Sequence, residues 1–235
     1  MTKPPPSPAA ILDECTERCR AMDAPLEVRL KAMAADVRRE LPDIAAIFDR
    51  LVERLERAMA GQAAPAVGEE LPEFVLPDER SSLVSLSALR ERGPVVVAFH
   101  RGHWCPYCRI NAVALTGIEP LVRAAGGQIV AITPELQSFA AEFKAEAGAT
   151  FPVLTDMDNG YALQLNLAFR IGDEQRLAMS RLGRDLVRFQ GNANWTLPIP
   201  ATFVVGRDGR IKARFVDPDY RNRMAVEHIV AALKT

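Results

Sequence analysis

Two hydrophobic patterns divide the chain. Up to about residue 60 the apolar positions recur at helical spacing. In "ILDECTERCRAM", Ile11, Leu12, Cys15, Cys19 and Met22 fall on one side and Asp13, Glu14, Glu17 and Arg18 on the other, the pattern of an amphipathic helix. Pro25 suits the first turn of a second helix running to about Glu40, and Pro42 that of a third. The third carries Ile44, Phe48, Leu51, Leu55 and Met59 as its stripe, with Gly61 placed to stop it. Short helices of this kind bury their apolar faces only against something else. The extension therefore packs on the rest of the chain or pairs two copies into a homodimer. Pro4 to Pro8 precede it as a proline-rich, disordered lead-in.

The small-residue segment "GQAAPAVGEE" reads as a linker. It divides residues 1–66, the helical extension, from a domain over 67–235. Here strands and helices alternate. "EFVLP" and "SLVSL" predict a short hairpin, and "PVVVAFH", rich in β-branched residues, a buried strand. There follow a helix over "YCRINAVALTGIEPLVRAAG" with Pro120 as a possible kink, a strand "QIVAIT", a helix "PELQSFAAEFKAEAG", a strand "FPVLT", a loop "DMDNG" and a helix around "YALQLNL". "DEQRLAMSRLGRDLVRFQG" reads as a largely helical insertion interrupted at Gly183. "ATFVVG" and "RIKARFV" flank an Asp208-Gly209 turn, a strong hairpin signal, and "RMAVEHIVAAL" closes the chain as a helix. The fold class is α/β, a mixed central sheet flanked by helices.

Composition narrows the function. With 29 Lys+Arg against 30 Asp+Glu and no block of like charge, there is no electrostatic footprint for nucleic acid or an acidic membrane. "MTKPPPSPAA" has no apolar core of signal-peptide length, and no run is long enough to span a bilayer. The expectation is a cytoplasmic protein, in which the 4 cysteines are catalytic, metal-binding or inert rather than structural disulfides.

The chemistry concentrates in "FHRGHWCPYC". After a buried strand, Cys105 is predicted at the N-cap of a helix, Pro106 at its first position and Cys108 one turn in. An N-cap sulfur accepts from the free N–H groups of Tyr107 and Cys108, and the helix dipole favours its anion. The thiolate is the nucleophile, so Cys105 is the expected attacker and Cys108 the partner that closes a disulfide. Trp104, His103 and Arg101 flank the pair. Arg101 either stabilises a thiolate or binds an anionic substrate group, or else faces solvent; His103 is an acid–base candidate. Four thiolates from Cys15, Cys19, Cys105 and Cys108 would instead suit zinc. Cys15 and Cys19 by themselves read as small residues in a helical packing face.

"VVVAFHRGHWCPYCRINAVAL", "FPVLTDMDNG" and "IPATFVVGRDGRI" together resemble the alkyl hydroperoxide reductase/thiol-specific antioxidant (AhpC/TSA) family. This is the peroxiredoxin-like branch of the thioredoxin superfamily, and the likeness runs from about Val67 to Leu233. It implies a thioredoxin-like fold with no cofactor, and reduction of hydroperoxides or disulfides by a thiol reductant such as a thioredoxin or glutathione. Against the family pattern, Arg101 stands where a proline is usual, Cys105 at the threonine and Cys108 at the peroxidatic cysteine. The family's distant arginine falls near Pro200. In "IPATFVV", Pro200 resembles the cis-proline of thioredoxins, which exposes the backbone of the preceding residue, here Ile199, to a disulfide substrate. A redox sensor that oxidises without turnover is the reading of another class.

Overall fold

The structure, a computed structural model, describes residues 5–234. Pro4 lies outside them, and Pro8, assigned from sequence to the lead-in, is the first residue of helix α1 (Pro8–Ala21), capped by the Ser7 hydroxyl. α2 (Leu26–Glu40) and α3 (Pro42–Arg57) follow as the spacing predicts, but α3 ends before Met59. Met59 adopts a left-handed φ of 51° and is exposed, so the stripe stops at Leu55 and the chain turns through Gly61 at φ 82°.

Hairpin β1 (Val75–Pro77) and β2 (Leu83–Ser85) leads through α4 (Leu86–Arg92) into β3 (Val95–Phe99). Then come α5 (Pro106–Ala124), unbroken across Pro120, β4 (Gln128–Thr133), α6 (Gln137–Ala147), β5 (Val153–Thr155) and α7 (Gly160–Gln164). β6 (Ala168–Arg170) and β7 (Thr196–Pro198) pair antiparallel and bracket α8 (Asp173–Arg181) and α9 (Leu186–Gln190), which break at Gly183. At three residues each, β6 and β7 are too short to show a period. β8 (Ala201–Val205), β9 (Ile211–Val216) and α10 (Val226–Ala232) complete the chain.

Among the described residues the main sheet has the order β5-β4-β3-β8-β9, parallel from β5 to β3 and antiparallel from β3 to β9. A mixed sheet with helices on both faces is the thioredoxin-like arrangement. β3 is its centre, buried on both sides, which is why its sequence is a continuous apolar run. Val95, Val97 and Phe99 point into one core with Phe203 and Leu154, whereas Val96 and Ala98 point into the other with α5.

That second core is shared. Leu12, Cys15, Cys19, Leu30, Met33 and Ile44 of α1–α3 lie in one buried cluster with Cys105, Cys108, Ile110 and Leu115. The apolar faces of the extension are thus laid on this chain's own α5. Met33, fully buried in α2, tests the attachment. Met33→Ala is expected to cost about 2–5 kcal/mol in urea unfolding, the range for emptying a core site of this size. A cost near zero would mean that α2 contributes little to the native core.

Candidate active site

β3 delivers the chain to His100, and a loop through Trp104 returns it into α5. Gly102 makes the return possible. Its φ is 140°, and a Cβ there would stand 2.5 Å from Trp104 Nε1 and 2.6 Å from Glu135 Cδ. Cys105 is the N-cap residue with extended φ/ψ of −89° and 117°, and Pro106 opens the helix. The sulfur, however, accepts no capping hydrogen bond; the backbone carbonyl of Cys105 takes the N–H groups of Cys108 and Arg109 instead. A stronger partner claims the sulfur.

That partner is Arg101. Its Nη2 lies 3.1 Å from Cys105 Sγ, and its backbone N–H donates to Cys108 Sγ at 3.3 Å. The solvent-facing reading is wrong: Arg101 is buried, with its guanidinium carbon 3.6 Å above the Tyr220 ring and 5.3 Å from that of Trp104. Arg223 reaches in from the loop before α10, its Nη2 3.5 Å from Cys108 Sγ. Tyr107 packs edge-on against Tyr220 at 5.3 Å, and Phe48 of α3 does so at 6.1 Å.

Both sulfurs are fully buried and unbridged, yet their acidities diverge. Burial alone would raise the Cys105 thiol. The hydrogen bond from Cys108 and the charges of Arg101 and Arg223 outweigh it, and Cys105 is held well below the ordinary thiol range. Burial and the neighbouring Cys105 push Cys108 well above it, with the two arginines opposing. One proton shared by two sulfurs therefore rests on Cys108. His100 adds no charge: burial and Arg223 push it down to about 3, its Nδ1–H donates to the Ala98 carbonyl at 3.2 Å, and Asn111 Nδ2 donates to its Nε2 at 3.0 Å.

His103 has its ring stacked on Phe139 and edge-on to Phe189. Its Nδ1 and its backbone N–H each meet the Glu135 carboxylate at 2.7 Å. Burial pushes Glu135 up, against the hydrogen bonds from His103. Beside Arg101 a narrow cavity of about 50 Å³ is lined by Leu12, Ile44, Phe48, Tyr107, Met179 and Tyr220. Two guanidinium atoms of Arg101, Nε and Nη1, are buried without a partner.

The structure thus gathers Arg101, Trp104, Cys105, Tyr107 and Cys108, whereas Ile199 lies in the other core. The described residues contain no cis peptide bond, so the Ile199–Pro200 bond is trans. Ile199 is buried in the core on the other face of the sheet, and its N–H is spent on the Leu167 carbonyl at 2.7 Å. The short β6–β7 pairing ends there and occupies the backbone that a substrate would have used. Nor do four cysteines converge: among the described residues no cluster of three or more His, Cys, Asp or Glu side chains could hold a metal ion. Cys19 donates instead to Asp36 at 3.6 Å. No described helix is long and apolar enough to cross a membrane.

Tyr220, Arg223 and Glu135 are absent from the sequence reading. "VDPDYRNR" has neither period nor motif, and a buried arginine looks like any surface arginine until the fold is known. Glu135 alone had a signal, as a carboxylate just past the C-terminal end of a parallel strand, where sites in α/β sheets gather.

The class of the protein, a thiol oxidoreductase, comes from its relatives, and the thioredoxin-like sheet around the cysteine pair fits it. The AhpC/TSA family model matches residues 67–214, and the chain belongs to that family; it is an enzyme of the thiol peroxidase and oxidoreductase type. A Mycobacterium tuberculosis protein described as a peroxiredoxin is 30% identical over 144 residues, 61% of this chain and 80% of the relative. The thiol-disulfide oxidoreductase ResA of Geobacillus kaustophilus is 26% identical over 152 residues, 64% and 70% of the two chains. Among solved structures, peroxidoxin BcpB of Mycobacterium tuberculosis superposes with a TM-score of 0.56 at 19% identity, covering 72% of this chain and 96% of that one. PrxQ of Xylella fastidiosa gives 0.56 at 15% identity, covering 72% and 95%.

The charge arrangement makes a checkable statement. Cys105 is expected to remain thiolate, and to alkylate at a constant rate, well below the pH at which free cysteine protonates. Its rate should fall only in acid. In Arg101→Met the fall should move to higher pH, and neutral-pH alkylation should slow. An unchanged profile would show that Arg101 does not hold the thiolate.

Proposed function

We propose that the enzyme reduces small hydroperoxides through the Cys105–Cys108 dithiol. The supporting observation is the Arg101 guanidinium, which touches the Cys105 sulfur with one nitrogen and keeps two buried donors free beside the cavity. A hydroperoxide fits these donors. Cys105 thiolate attacks the terminal peroxide oxygen, the O–O bond breaks, and the leaving alkoxide takes a proton to become the alcohol. Cys105 is left as sulfenic acid. The charge that grows on the leaving oxygen falls next to a fixed guanidinium in a dry site, where it is worth most. Cys108 sulfur then displaces hydroxide from Cys105, giving the disulfide and, with the Cys108 proton, water. An external thiol reductant restores both thiols. Trp104 and Tyr107 wall the site beside the dithiol.

Exchange with a disulfide at the same sulfur is the second reading. The observation in its favour is the pairing of an acidic N-cap cysteine with a protonated one a turn later, which suits attack on sulfur and release by Cys108. The full burial of both sulfurs weighs against it for disulfides carried on proteins.

Steady-state reduction of hydrogen peroxide and of hydroxyethyl disulfide, compared across the cysteine variants, decides between them. Cys105→Ser is expected to abolish turnover, and Cys108→Ser to accumulate a sulfenic acid at Cys105 that dimedone traps. Arg101→Met should slow peroxide reduction by about 100- to 1,000-fold, the usual loss for removing a fixed donor to a developing oxyanion. Full activity in Cys105→Ser would transfer the attack to Cys108, and turnover of the disulfide alone would favour the second reading.

A further inference from the structure

Arg101 has more donors than the dithiol uses. Its Nη2 lies 3.1 Å from Cys105 Sγ, while Nε and Nη1 are buried and have no partner among the described residues. The two hydrogens of Nη2 belong to two edges of the guanidinium, one shared with Nε and the other with Nη1. Whichever of them goes to the sulfur, the other forms an intact fork with a free neighbour. Such a fork matches a planar pair of oxygens, as in a carboxylate.

The cavity of about 50 Å³ beside Arg101 is lined also by Trp104 and Pro106, the residues on either side of Cys105. The rest of its lining is apolar or aromatic except for Arg184, which pairs with Asp13. None of the described lining residues is acidic, so none competes for the fork. A water-sized group needs about 10–15 Å³ of such space, which leaves room for about three to five. The pairing of the cation points the same way. In the reduced protein the anion beside Arg101 is the Cys105 thiolate, and oxidation of that sulfur removes it. A buried cation that loses its partner is costly. A substrate whose leaving group is itself an anion replaces the partner as the first one disappears.

We propose that the preferred oxidants are short-chain acyl hydroperoxides, the peroxycarboxylic acids, and that the free fork of Arg101 is the subsite for their carbonyl and leaving oxygens. This deepens the peroxide reading of the dithiol and rests on it. A peroxy acid is a much weaker acid than the carboxylic acid it derives from, so it arrives neutral and is not repelled by the thiolate. Cys105 sulfur attacks the terminal oxygen, the S–O bond forms and the O–O bond breaks. The hydroxyl passes to sulfur with its own hydrogen, giving the sulfenic acid, and a carboxylate leaves. Sulfur loses two electrons, the peroxide gains them, and no proton changes hands.

An alkoxide from an alkyl hydroperoxide must instead find a proton in a dry site. The two phenols that line the cavity hold theirs, since burial pushes both Tyr107 and Tyr220 above the ordinary range. With a peroxy acid, the negative charge spreads over two oxygens as the O–O bond breaks, one for each arm of the fork. That contact strengthens on the way to the transition state, which is where it accelerates the reaction. Arg101 passes from one anion to the next without a stage in which it is unpaired.

Peracetic acid and isopropyl hydroperoxide make the test, because they have the same number of non-hydrogen atoms and differ in a carbonyl oxygen against a methyl group. Each is mixed with the reduced full-length protein for a single turnover, and loss of the Cys105 thiol is read by acid quench, alkylation and mass spectrometry. Dividing each rate by that of free cysteine thiolate with the same oxidant removes the greater intrinsic reactivity of the peroxy acid. The resulting acceleration is expected to be about tenfold or more larger for peracetic acid, the worth of one added hydrogen bond to a charged group. In Arg101→Lys, which keeps the charge but has no fork, the ratio of the two accelerations should fall to about one. Equal accelerations in the wild type, a larger one for isopropyl hydroperoxide, or a ratio unchanged in Arg101→Lys would each overturn the subsite while leaving peroxide reduction in place. The wild-type comparison needs no variant and decides the matter even where Arg101→Lys fails to fold. If neither oxidant reacts with Cys105 faster than with free cysteine, the peroxide reading is overturned as well.

Discussion

The site depends on one buried cation. Placing a guanidinium in a core is among the costlier things a fold can do, and it persists only where other groups compensate for the lost water. Arg101 has two compensations: the anionic sulfur of Cys105, and the π-face of Tyr220 directly beneath its central carbon. The relation is mutual. Without the cation, Cys105 would have only the Cys108 hydrogen bond and Arg223 to set against burial; without the thiolate, the cation would lose the anion it is paired with. Cys108, one turn further on, then has no choice but to keep its proton.

The remainder of the architecture can be understood as maintaining that dryness. α1–α3 lie over α5, α8 contributes Met179 to the wall of the cavity, and the loop before α10 supplies both Tyr220 and Arg223. Segments from both ends of the chain and from the insertion between β6 and β7 therefore meet at one pair of sulfurs. Glu135 and His103 fix the loop between them, since the carboxylate takes the backbone N–H of His103 as well as its ring. Gly102 lets that loop turn in a space where a methyl group would collide with the same carboxylate.

How much of this is legible beforehand depends on whether the information is local. The β3 run, the Asp208-Gly209 turn, the Pro106 helix start and the amphipathic stripes of α1–α3 are all decided within a few residues, and they stand as the pattern predicts except at Met59, which the α3 stripe does not reach. The cysteine pair is legible for the same reason. The N-cap hydrogen bond is not, because Cys105 had a choice between a backbone dipole and a full charge that comes from the preceding loop. The cis bond at Pro200 is wrong for a related reason: the backbone of Ile199 is claimed by Leu167 across a pairing too short to have a pattern. Tyr220 and Arg223 lie more than a hundred residues from the sulfurs they serve.

The region matched by the family, 67–214, contains both cysteines and Arg101 but neither Tyr220 nor Arg223, and it omits α1–α3 altogether. Those omitted parts are not ornaments on a finished core, since they supply the aromatic seat of the cation and the lid over the thiols. What is inherited in common and what must be present for this dithiol to be dry are thus two different stretches of chain. Divergence outside the shared region can retune thiol acidity, and the size of molecule that reaches it, without touching the Cys-Pro-Tyr-Cys turn.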